Sequence, residues 1–600
     1  MIFSHRKTAL AAAILFSLCG NVQAQRAQAL GPVVVTANRS EVAADQVLAS
    51  VTVLTRDDIE QSQAPDLVDL LSRQAGIDIA RTGGPGQAST LFMRGTNSNH
   101  TLVLVDGVRV NTATQGLIDF AHLPLAQIER IEIVRGPRAA LWGSDAIGGV
   151  IHIFTRDPSK AFFEARAGSY GRAGMSAGAG MSHEESRLGI VVGGEDLRGF
   201  SATNDAAYGF DPDTDGYRNR NLSLNARTTI GAQRLSFSGL VTEADVEFDQ
   251  GDTSALNRVF GLALGGPLSE RWTHSLVLGH TSEDLDTPAY LSRFGSARDS
   301  LDWINTIAMD ASGTLDIGLN WSRESGHSDD GFAGFEQTRR AAALFASWRG
   351  QWAEQSIELS LRHDDNEQFD GASTGSFAWG WQASSAMRLR ASWGQGFRAP
   401  NFNELYYPGF FGLFQGNPDL QPERSSTGEL GLDWRPSPTQ ELGLSLYRTR
   451  IDDLIAFEGA NFQAINVNRA AIDGVELDYH LARGGFSVDG NATWQHATDA
   501  DSGERLLRRP DRKLNLTVGY RFENQATLAC EASAFSSRPD FGGAALSGYA
   551  RVDLLASAPL ADDWTFEARL ENVADRDYAQ VSGYNTPGRS GTFSLRWNAN

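Results

Sequence analysis

The sequence predicts an all-β membrane protein: a large (about 22-stranded) transmembrane antiparallel β-barrel with an N-terminal α+β plug domain inside its lumen. Three observations predict this fold class: an N-terminus of the export type, long segments of alternating hydrophobicity, and an N-terminal region with a mixed pattern. A sheet of alternating strands in a bilayer has to close, because an open edge would leave unpaired backbone groups in hydrocarbon.

Residues 1–24 have the pattern of a secretory signal peptide. Basic residues at 5–7 precede an apolar run from Thr8 to Cys19, and small residues end it at Ala24. The run is shorter than the roughly 20 apolar residues that span a bilayer as a helix. We therefore expect export through the Sec pathway and removal of this segment. The mature chain then keeps only Cys530, so no intrachain disulfide is possible.

Composition excludes two broad classes of protein. The net charge is −21, whereas a nucleic-acid partner requires a basic surface. No window after the signal segment holds 18 consecutive apolar residues, which argues against a bundle of membrane-spanning helices.

Residues 25–45 form a tail, and residues 46–157 have the mixed pattern of a compact α+β plug domain. Val51 to Leu54 predicts a strand, and Thr55 with Asp58 predicts a capped helix over 57–61. A second helix is predicted over 65–74, and further strands over 102–105 and 131–134, each ended by a glycine turn.

Residues 158–600 alternate between polar and apolar side chains, with breaks at Asp, Asn, Gly and Pro. The strands are about ten residues or longer, as a tilted transmembrane strand requires. At about 20 residues for a strand and its turn, this region holds roughly 22 strands, and a barrel of that size needs a plug.

The segment Pro32-Val33-Val34-Val35-Thr36-Ala37 is a short β-prone run with polar neighbours. It could be the first strand of the plug, or an exposed segment that another protein captures by adding it to the edge of a sheet. The residues alone leave both interpretations open.

Strings of residues spread over nearly the whole mature chain resemble those of TonB-dependent outer-membrane receptors, and most closely the cobalamin receptors. In the plug they are Gly83-Gly-Pro-Gly-Gln87, Met93-Arg-Gly-Thr-Asn97, Leu104-Val-Asp-Gly-Val-Arg109, Ile131-Glu-Ile-Val-Arg-Gly-Pro137 and Leu141-Trp-Gly-Ser-Asp-Ala-Ile-Gly-Gly-Val-Ile151. In the barrel they are Phe397-Arg-Ala-Pro400, Asn417-Pro-Asp-Leu420 and Glu571-Asn-Val-Ala-Asp-Arg-Asp-Tyr578.

The resemblance implies a monomeric, non-enzymatic transporter in the outer membrane of a Gram-negative bacterium, in contact with outer-membrane lipids. It identifies residues 32–37 as a TonB box, by which the periplasmic protein TonB would drive uptake of cobalamin or a related corrinoid. It also implies that Arg94 and Arg135 of the plug meet carboxylates of the barrel wall.

The run Asp211-Pro-Asp213-Thr-Asp215-Gly216 concentrates negative charge, because alternate carboxylates of an extended loop point to one side. It copies the first half of an EF-hand loop but has Leu222 where the twelfth-position Glu would stand. Further ligands would come from Glu243, Asp245 or Asp249, and a solvated acidic loop is the alternative. The resemblance implies calcium here, bound by Asp211, Asp213, Asp215 and Glu243.

The resemblance also implies a substrate site on two apical loops of the plug. Its predicted residues are Gln87, Ala88, Thr90 and Asn97 on the first loop, with Thr114 and Gln115 on the second. Amides and hydroxyls suit the amide-rich rim of a corrin. The alternative is that these are turn residues facing water.

Three other functions compete with cobalamin uptake. A receptor of the same build could take an iron siderophore. Haem is a weaker alternative, because the resemblance implies a haem-ligating His between Phe397 and Leu420 and none is present there. A passive outer-membrane channel would need neither plug nor TonB box. An outer-membrane enzyme would need a nucleophile with a base and an orienting group, and the sequence offers no such set.

Overall fold

A closed antiparallel barrel surrounds a small N-terminal domain in the computed structural model, which describes residues 34–35, 39, 42–43, 46–207, 209–310, 313–409, 413–458 and 462–599. The barrel has 22 strands, which confirms the predicted fold class. The predicted boundary near 157 falls between the last strand of the plug and the first strand of the barrel.

The predicted signal peptide lies outside the described residues, as do Pro32, Val33, Thr36 and Ala37 of the predicted TonB box. Its central residues form β1 (Val34–Val35), which pairs antiparallel with β2 (Val42–Ala43).

The plug contains a five-stranded sheet, a separate hairpin and three short helices. The elements are β3 (Ser50–Leu54), α1 (Arg56–Ser62), α2 (Leu67–Ser72), β4 (Ile77–Arg81), β5 (Ser89–Met93), β6 (Thr101–Val105), β7 (Val108–Arg109), β8 (Ile128–Arg135), α3 (Ala139–Trp142) and β9 (Gly149–Thr155). The sheet has the order β3-β8-β9-β6-β7, with β6 and β9 parallel, and β4 pairs with β5. Its core holds Leu67, Leu71, Ile131, Ile133 and Ile151, all fully buried.

Local sequence signals set the ends of the plug helices. Thr55 caps α1 through a reciprocal capping box with Asp58, as predicted. The second helix is shorter than the predicted range 65–74 and runs over Leu67–Ser72. Gly76 has φ +66, and a Cβ there would lie 2.1 Å from Oε1 of Glu476. This glycine therefore allows the plug backbone to approach a carboxylate of the barrel wall.

The barrel closes by pairing its first strand with its last. Its strands are β10 (Phe162–Gly168), β11 (Ala173–His183), β12 (Ser186–Phe200), β13 (Asp215–Ile230), β14 (Gln233–Phe248), β15 (Gly251–Ser269), β16 (Trp272–Thr287), β17 (Ser292–Ala308), β18 (Thr314–Asp329), β19 (Gly334–Trp352), β20 (Gln355–Asn366), β21 (Ala372–Ser384), β22 (Met387–Arg398), β23 (Glu423–Ser437), β24 (Gln440–Glu458), β25 (Gln463–Arg483), β26 (Phe486–Asp499), β27 (Arg512–Arg521), β28 (Thr527–Phe535), β31 (Tyr549–Ala561), β32 (Trp564–Glu571) and β33 (Ser590–Asn598). The hairpin β29 (Arg538–Pro539) and β30 (Ala545–Leu546) lies in one extracellular loop, and α4 (Phe402–Tyr406) lies in another.

The two faces of the wall differ in chemistry. Leu430, Trp393 and Trp494 are exposed on the outer face, whereas Thr427 and Glu429 are buried against the plug side. This alternation places apolar side chains toward lipid and polar ones toward the lumen, as a transmembrane barrel requires. Within the described part of the chain, no helix is long and apolar enough to cross a membrane.

Candidate functional site

Two apical loops of the plug, residues 82–90 and 112–118, meet the extracellular ends of the barrel strands. On the first loop, Gly86 (φ +84) lies so close to the wall that a Cβ would stand 2.1 Å from the ring of Tyr217. On the second loop, the backbone N–H of Ala113 donates to Oγ of Ser296 at 2.7 Å. Both loops are thus held by specific contacts with the wall.

The structure divides the predicted substrate residues of the first loop by exposure. Gln87 is 7% exposed, and its Nε2 donates to the carbonyl of Glu247 at 2.6 Å. Ala88 is exposed, and Thr90 is half-buried with its hydroxyl near the carbonyl of Ala80. Asn97, predicted together with them, lies outside residues 82–90, after β5, and accepts a hydrogen bond from Nη2 of Arg509 at 2.6 Å. Only Ala88 of this set offers its side chain freely to the outside.

The second loop is covered by an extracellular loop of the barrel. The carbonyl of Thr114 accepts from the N–H of Asn403 at 3.0 Å, and the carbonyl of Gln115 accepts from Nδ2 of Asn401 at 3.0 Å. Thr114 is 2% exposed, whereas Gln115 is exposed. The Gln115 side chain is therefore available to a ligand, and that of Thr114 is not.

The helix α4 that covers this loop is fixed by a buried ion network. Arg398 donates two hydrogen bonds to Glu404, at 2.8 and 2.9 Å, and one to Glu423 at 2.6 Å. Glu423 is also 2.6 Å from Nε2 of His100 in the plug. Glu423 is the first residue of β23, at its extracellular end. Burial alone would raise the pKa of this carboxyl, but the Arg398 guanidinium and the hydrogen bonds from Arg398 and His100 hold the pKa below its usual range.

Three carboxylates at the extracellular ends of β13 and β14 form one group. Among the described residues, Asp213, Asp215 and Asp249 bring ligand atoms within 4.8 Å of one another. Oδ2 of Asp215 accepts from the N–H of Ala202 at 2.5 Å, and Oδ2 of Asp249 accepts from the hydroxyl of Thr203. Oδ1 of Asp249 is buried and has no hydrogen-bond partner among the described residues.

Two predicted calcium ligands lie outside this group. Asp211 is exposed, and its carbonyl accepts a hydrogen bond from Oγ of Ser201 at 3.1 Å. Glu243 is exposed on the outer face of β14 opposite Arg220, six residues before Asp249 and so roughly 20 Å away along the strand. The carboxylates that converge thus include Asp249, one of the further ligands considered for this site, and neither Asp211 nor Glu243.

Asp215 is buried and lies close to other carboxylates. Its side chain stands above the apolar belt, since the outward residues of β13 become charged at Arg220, well before the extracellular end. Burial, together with the nearby Asp249, Asp213 and Glu247, raises the pKa of Asp215 to about 6 against one backbone hydrogen bond. The raised pKa means that the ionised form of Asp215 is disfavoured in this setting, and a nearby cation would favour it.

An ion cluster fixes the plug to the opposite wall. Arg94 is 2% exposed and donates to Glu429 at 2.8 Å and to Glu476 at 2.8 and 3.0 Å, with its guanidinium 4.4 Å from the ring centre of Tyr447. The expectation for Arg94 is met. Arg135 is different, because it donates to plug atoms, including the carbonyl of Ala75 at 2.9 Å, and to no wall carboxylate among the residues that the structure describes. The turn at Gly76 occupies the space between Arg135 and the wall glutamate.

Arg39 was not among the predicted site residues, and it ties the N-terminal tail to the lumen. Its Nη1 donates to Asp302 of β17 at 2.8 Å, and its guanidinium lies 4.3 Å from the ring centre of Trp142. A single arginine in a polar tail carries no sequence signal of such a contact. By contrast, Asn401 and Glu404 have the spacing of a helix cap, which could have revealed α4.

These features define a class of protein: a plugged membrane barrel with a recessed apex and ion pairs that hold the plug. The model for the family described as TonB-dependent Receptor Plug Domain matches residues 43–150, and that described as TonB dependent receptor-like, beta-barrel, matches residues 167–573. The chain belongs to the TonB-dependent receptor family. It is an outer-membrane transporter that works with TonB and binds a substrate, and the family is not a class of enzymes.

Known proteins similar to the chain differ in the cargo that their names state. The chain is 31% identical over 594 residues to "Vitamin B12 transporter BtuB" of Vibrio vulnificus (strain YJ016), with 95% of each chain covered, and 32% identical over 616 residues to the protein of the same name from Vibrio cholerae serotype O1 (strain M66-2), with 96% and 97% covered. Among solved structures, the siderophore receptor PirA of Acinetobacter baumannii aligns with a TM-score of 0.78 at 17% identity, covering 92% of this chain and 98% of that one. The copper transporter OprC aligns with a TM-score of 0.79 at 15% identity, covering 92% and 98%. At such identities the structures show the fold alone.

Proposed function

We propose that this transporter takes up cobalamin or a closely related corrinoid into the periplasm. The observation that carries this proposal is similarity along almost the whole chain to proteins named as vitamin B12 transporters. It includes the plug, which forms the floor of the ligand site, as well as the barrel.

The chemistry of the apex supports a neutral, amide-rich cargo. Residues 82–90 and 112–118 include no charged side chain. Amide and hydroxyl groups such as that of Gln115 can donate to and accept from the carboxamides of a corrinoid. A polyanionic siderophore would favour arginines at this surface, because guanidinium groups bind anions in a bidentate manner.

The tail supplies a physical link to TonB. Arg39 holds the chain two residues after the predicted TonB box against the barrel wall. For cargo to signal across the plug, it must bind one plug state more tightly than another. We infer that bound cargo favours the state in which this tail is released, and that TonB then captures residues 32–37 by strand addition.

We further propose that calcium binds Asp213, Asp215 and Asp249 and orders the loops beside the first apical loop. Calcium prefers several carboxylate oxygens, and three of them converge here. The group is next to the substrate floor, because Gly86 packs on Tyr217 and Gln87 donates to Glu247. A cation would therefore fix the wall elements against which Gln87 and Gly86 rest.

The cargo is tested by calorimetric titration of the purified protein with cyanocobalamin, in calcium and then in chelator. We expect saturable binding, weakened severalfold by Gln115→Ala and unchanged by Gln525→Ala, which removes the same side chain at a periplasmic turn. Absence of binding at micromolar protein in both conditions would contradict the cargo. A ferric siderophore that binds in its place would favour the alternative cargo.

The metal is tested by the same titration on two matched variants. Asp249→Asn should abolish the gain in cobalamin affinity that calcium gives, because it removes one of three converging charges. Asp245→Asn, four residues earlier on β14 and with its side chain hydrogen-bonded to Ser254, should keep that gain. Equal loss in both variants, or a loss in Asp211→Asn instead, would contradict the proposed ligand set.

A further inference from the structure

A cavity of about 130 Å³ lies between the plug and the wall formed by β17–β20. Its upper end reaches Gly116 of the second apical loop and Asn401 of the loop that covers it. Its lower end reaches Trp142 and Arg39. The cavity therefore begins beneath the substrate floor and ends at the residue that holds the tail.

Positive charge exceeds negative charge in the upper half of this cavity. Arg298 and Arg339 both bind the single carboxylate of Glu324, while Arg109 of the plug binds Asp145. Three guanidinium groups thus share two carboxylates.

Two of these arginines also retain unused donors. Arg298 is 7% exposed, and its Nε–H and that of Arg109 are buried without a hydrogen-bond partner among the described residues. A buried donor without an acceptor is costly, and so is a buried charge that is not neutralised. An anion with several oxygens would accept from these N–H groups and neutralise the excess positive charge.

The other arginines of the cavity each have carboxylate partners of their own, so the shortage of carboxylates is local to Arg109, Arg298 and Arg339. Arg362 pairs with Asp364 at 2.8 Å, and Arg39 pairs with Asp302 at 2.8 Å. Arg398 is bound by its own two glutamates, and Asp370 is exposed at the extracellular rim.

We propose that this cavity is an oxyanion-binding site, formed by Arg109, Arg298 and Arg339, on the route of the cargo between apex and periplasm. The inference rests on the proposed function in one respect: cobalamin carries a phosphodiester, which is the oxyanion that would bind here after leaving the neutral apex. Arginine is suited to this task because its planar fork matches two phosphate oxygens. The cavity is smaller than the roughly 300–1,000 Å³ of a ligand pocket, so it receives the anionic group and not the whole cargo until the plug moves.

The first test uses inorganic phosphate as the probe and needs no cargo. Equilibrium dialysis of labelled phosphate against the purified full chain should show saturable binding. Arg298→Gln should weaken this binding at least tenfold, and Arg298→Lys should retain most of it because the charge remains. Arg293→Gln is the matched control on the same strand, since its side chain is 70% exposed. Absence of saturable phosphate binding by the unaltered protein, or equal binding by Arg298→Gln, would overturn the site.

The second test distinguishes a group of the cargo from a free ion. Cellular uptake of cobalamin is compared with that of a corrinoid that lacks the phosphodiester-linked nucleotide. Arg298→Gln should lower cobalamin uptake severalfold, leave surface binding of cobalamin unchanged, and leave uptake of the phosphate-free corrinoid within twofold.

Equal loss for both corrinoids would overturn the role on the cargo route and indicate a general effect on the plug. Uptake of both corrinoids at the unaltered rate, with phosphate binding lost, would assign the site to free phosphate and likewise overturn that role. If the unaltered protein bound phosphate but no corrinoid, the proposed cargo would fail while the oxyanion site stood.

Discussion

Replacing Arg39 by alanine should release the N-terminal tail from the barrel lumen. The substitution removes one charged hydrogen bond to Asp302 and the stacking of the guanidinium on Trp142. A hydrogen bond to a charged group contributes about 1.5–3 kcal/mol, and a cation–π contact about 0.5–2 kcal/mol. The Asp302 side chain is 26% exposed, so the lower parts of both ranges apply. We expect the docking equilibrium to shift by about 2–3 kcal/mol, which is roughly 30- to 150-fold.

The shift can be measured by electron paramagnetic resonance of a spin label on the tail. Cys530 is the free cysteine of the described chain, so a Cys530→Ser background allows a single label at Val35→Cys. We expect a larger mobile fraction of label in Arg39→Ala than in the background protein. Arg56→Ala is the control, because that arginine binds Glu60 within the plug.

A double-mutant cycle assigns the effect to the contact. Asp302→Asn should release the tail less than Arg39→Ala, because stacking on Trp142 remains. The double variant should behave like Arg39→Ala alone. A mobile fraction that does not rise in Arg39→Ala, or effects of the two substitutions that simply add, would refute the reasoning.

Three other predictions follow from the plug contacts and the acidic group. Arg94→Met removes the hydrogen-bonded cation from buried Glu476 and leaves buried Glu429 with only the more distant Arg390, at 3.6 Å. It should destabilise plug docking by about 3–5 kcal/mol, measured as loss of the plug at lower urea concentration by ion conductance, and neutralising both glutamates as well should recover most of this loss. Pro137→Cys in the plug and Gly394→Cys in the wall would place two Cβ atoms 3.6 Å apart, which suits a disulfide. The oxidised protein should bind cargo but not take it up until reductant is added. Uptake at the normal rate by the oxidised protein would show that the plug need not separate from the wall at this contact. Calcium affinity should fall as the pH drops through about 6, because the proton on Asp215 then competes with the ion, and a flat profile between pH 5 and 7 in calorimetry would contradict this. The sign for folding is opposite: a raised pKa means that the metal-free folded state binds this proton more tightly than the unfolded state, so protonation stabilises it between about pH 4 and 6.

Local patterns in the sequence were sufficient for elements whose partners are near in the chain. The capping box of Thr55 and Asp58 predicts the start of a helix correctly because both groups act within one turn. The alternation of polar and apolar residues in β22 and β24 predicts strands because it has the period of the pleat. Lipid on one side of the wall and a polar lumen on the other require this alternation. The export signal and the TonB box remain predictions from sequence and resemblance.

The tertiary structure decided which charges meet. No local pattern around Arg135 predicts that a glycine turn separates it from the wall. Likewise, no local pattern predicts that Arg94 binds two glutamates more than 300 residues away. The acidic loop shows the same limit, because Asp249 belongs to the next hairpin and joins Asp213 and Asp215 only through the register of β13 with β14.

The sequence by itself therefore determined the plugged barrel and its family, because alternation and motif order are properties of neighbouring residues. The folded chain alone determined that Gln115 is open to a ligand while Thr114 is covered, and that Arg109, Arg298 and Arg339 converge around too few carboxylates. The physical reason is that pairing, burial and charge balance depend on contacts between segments far apart in sequence, which closure of the barrel around the plug brings together.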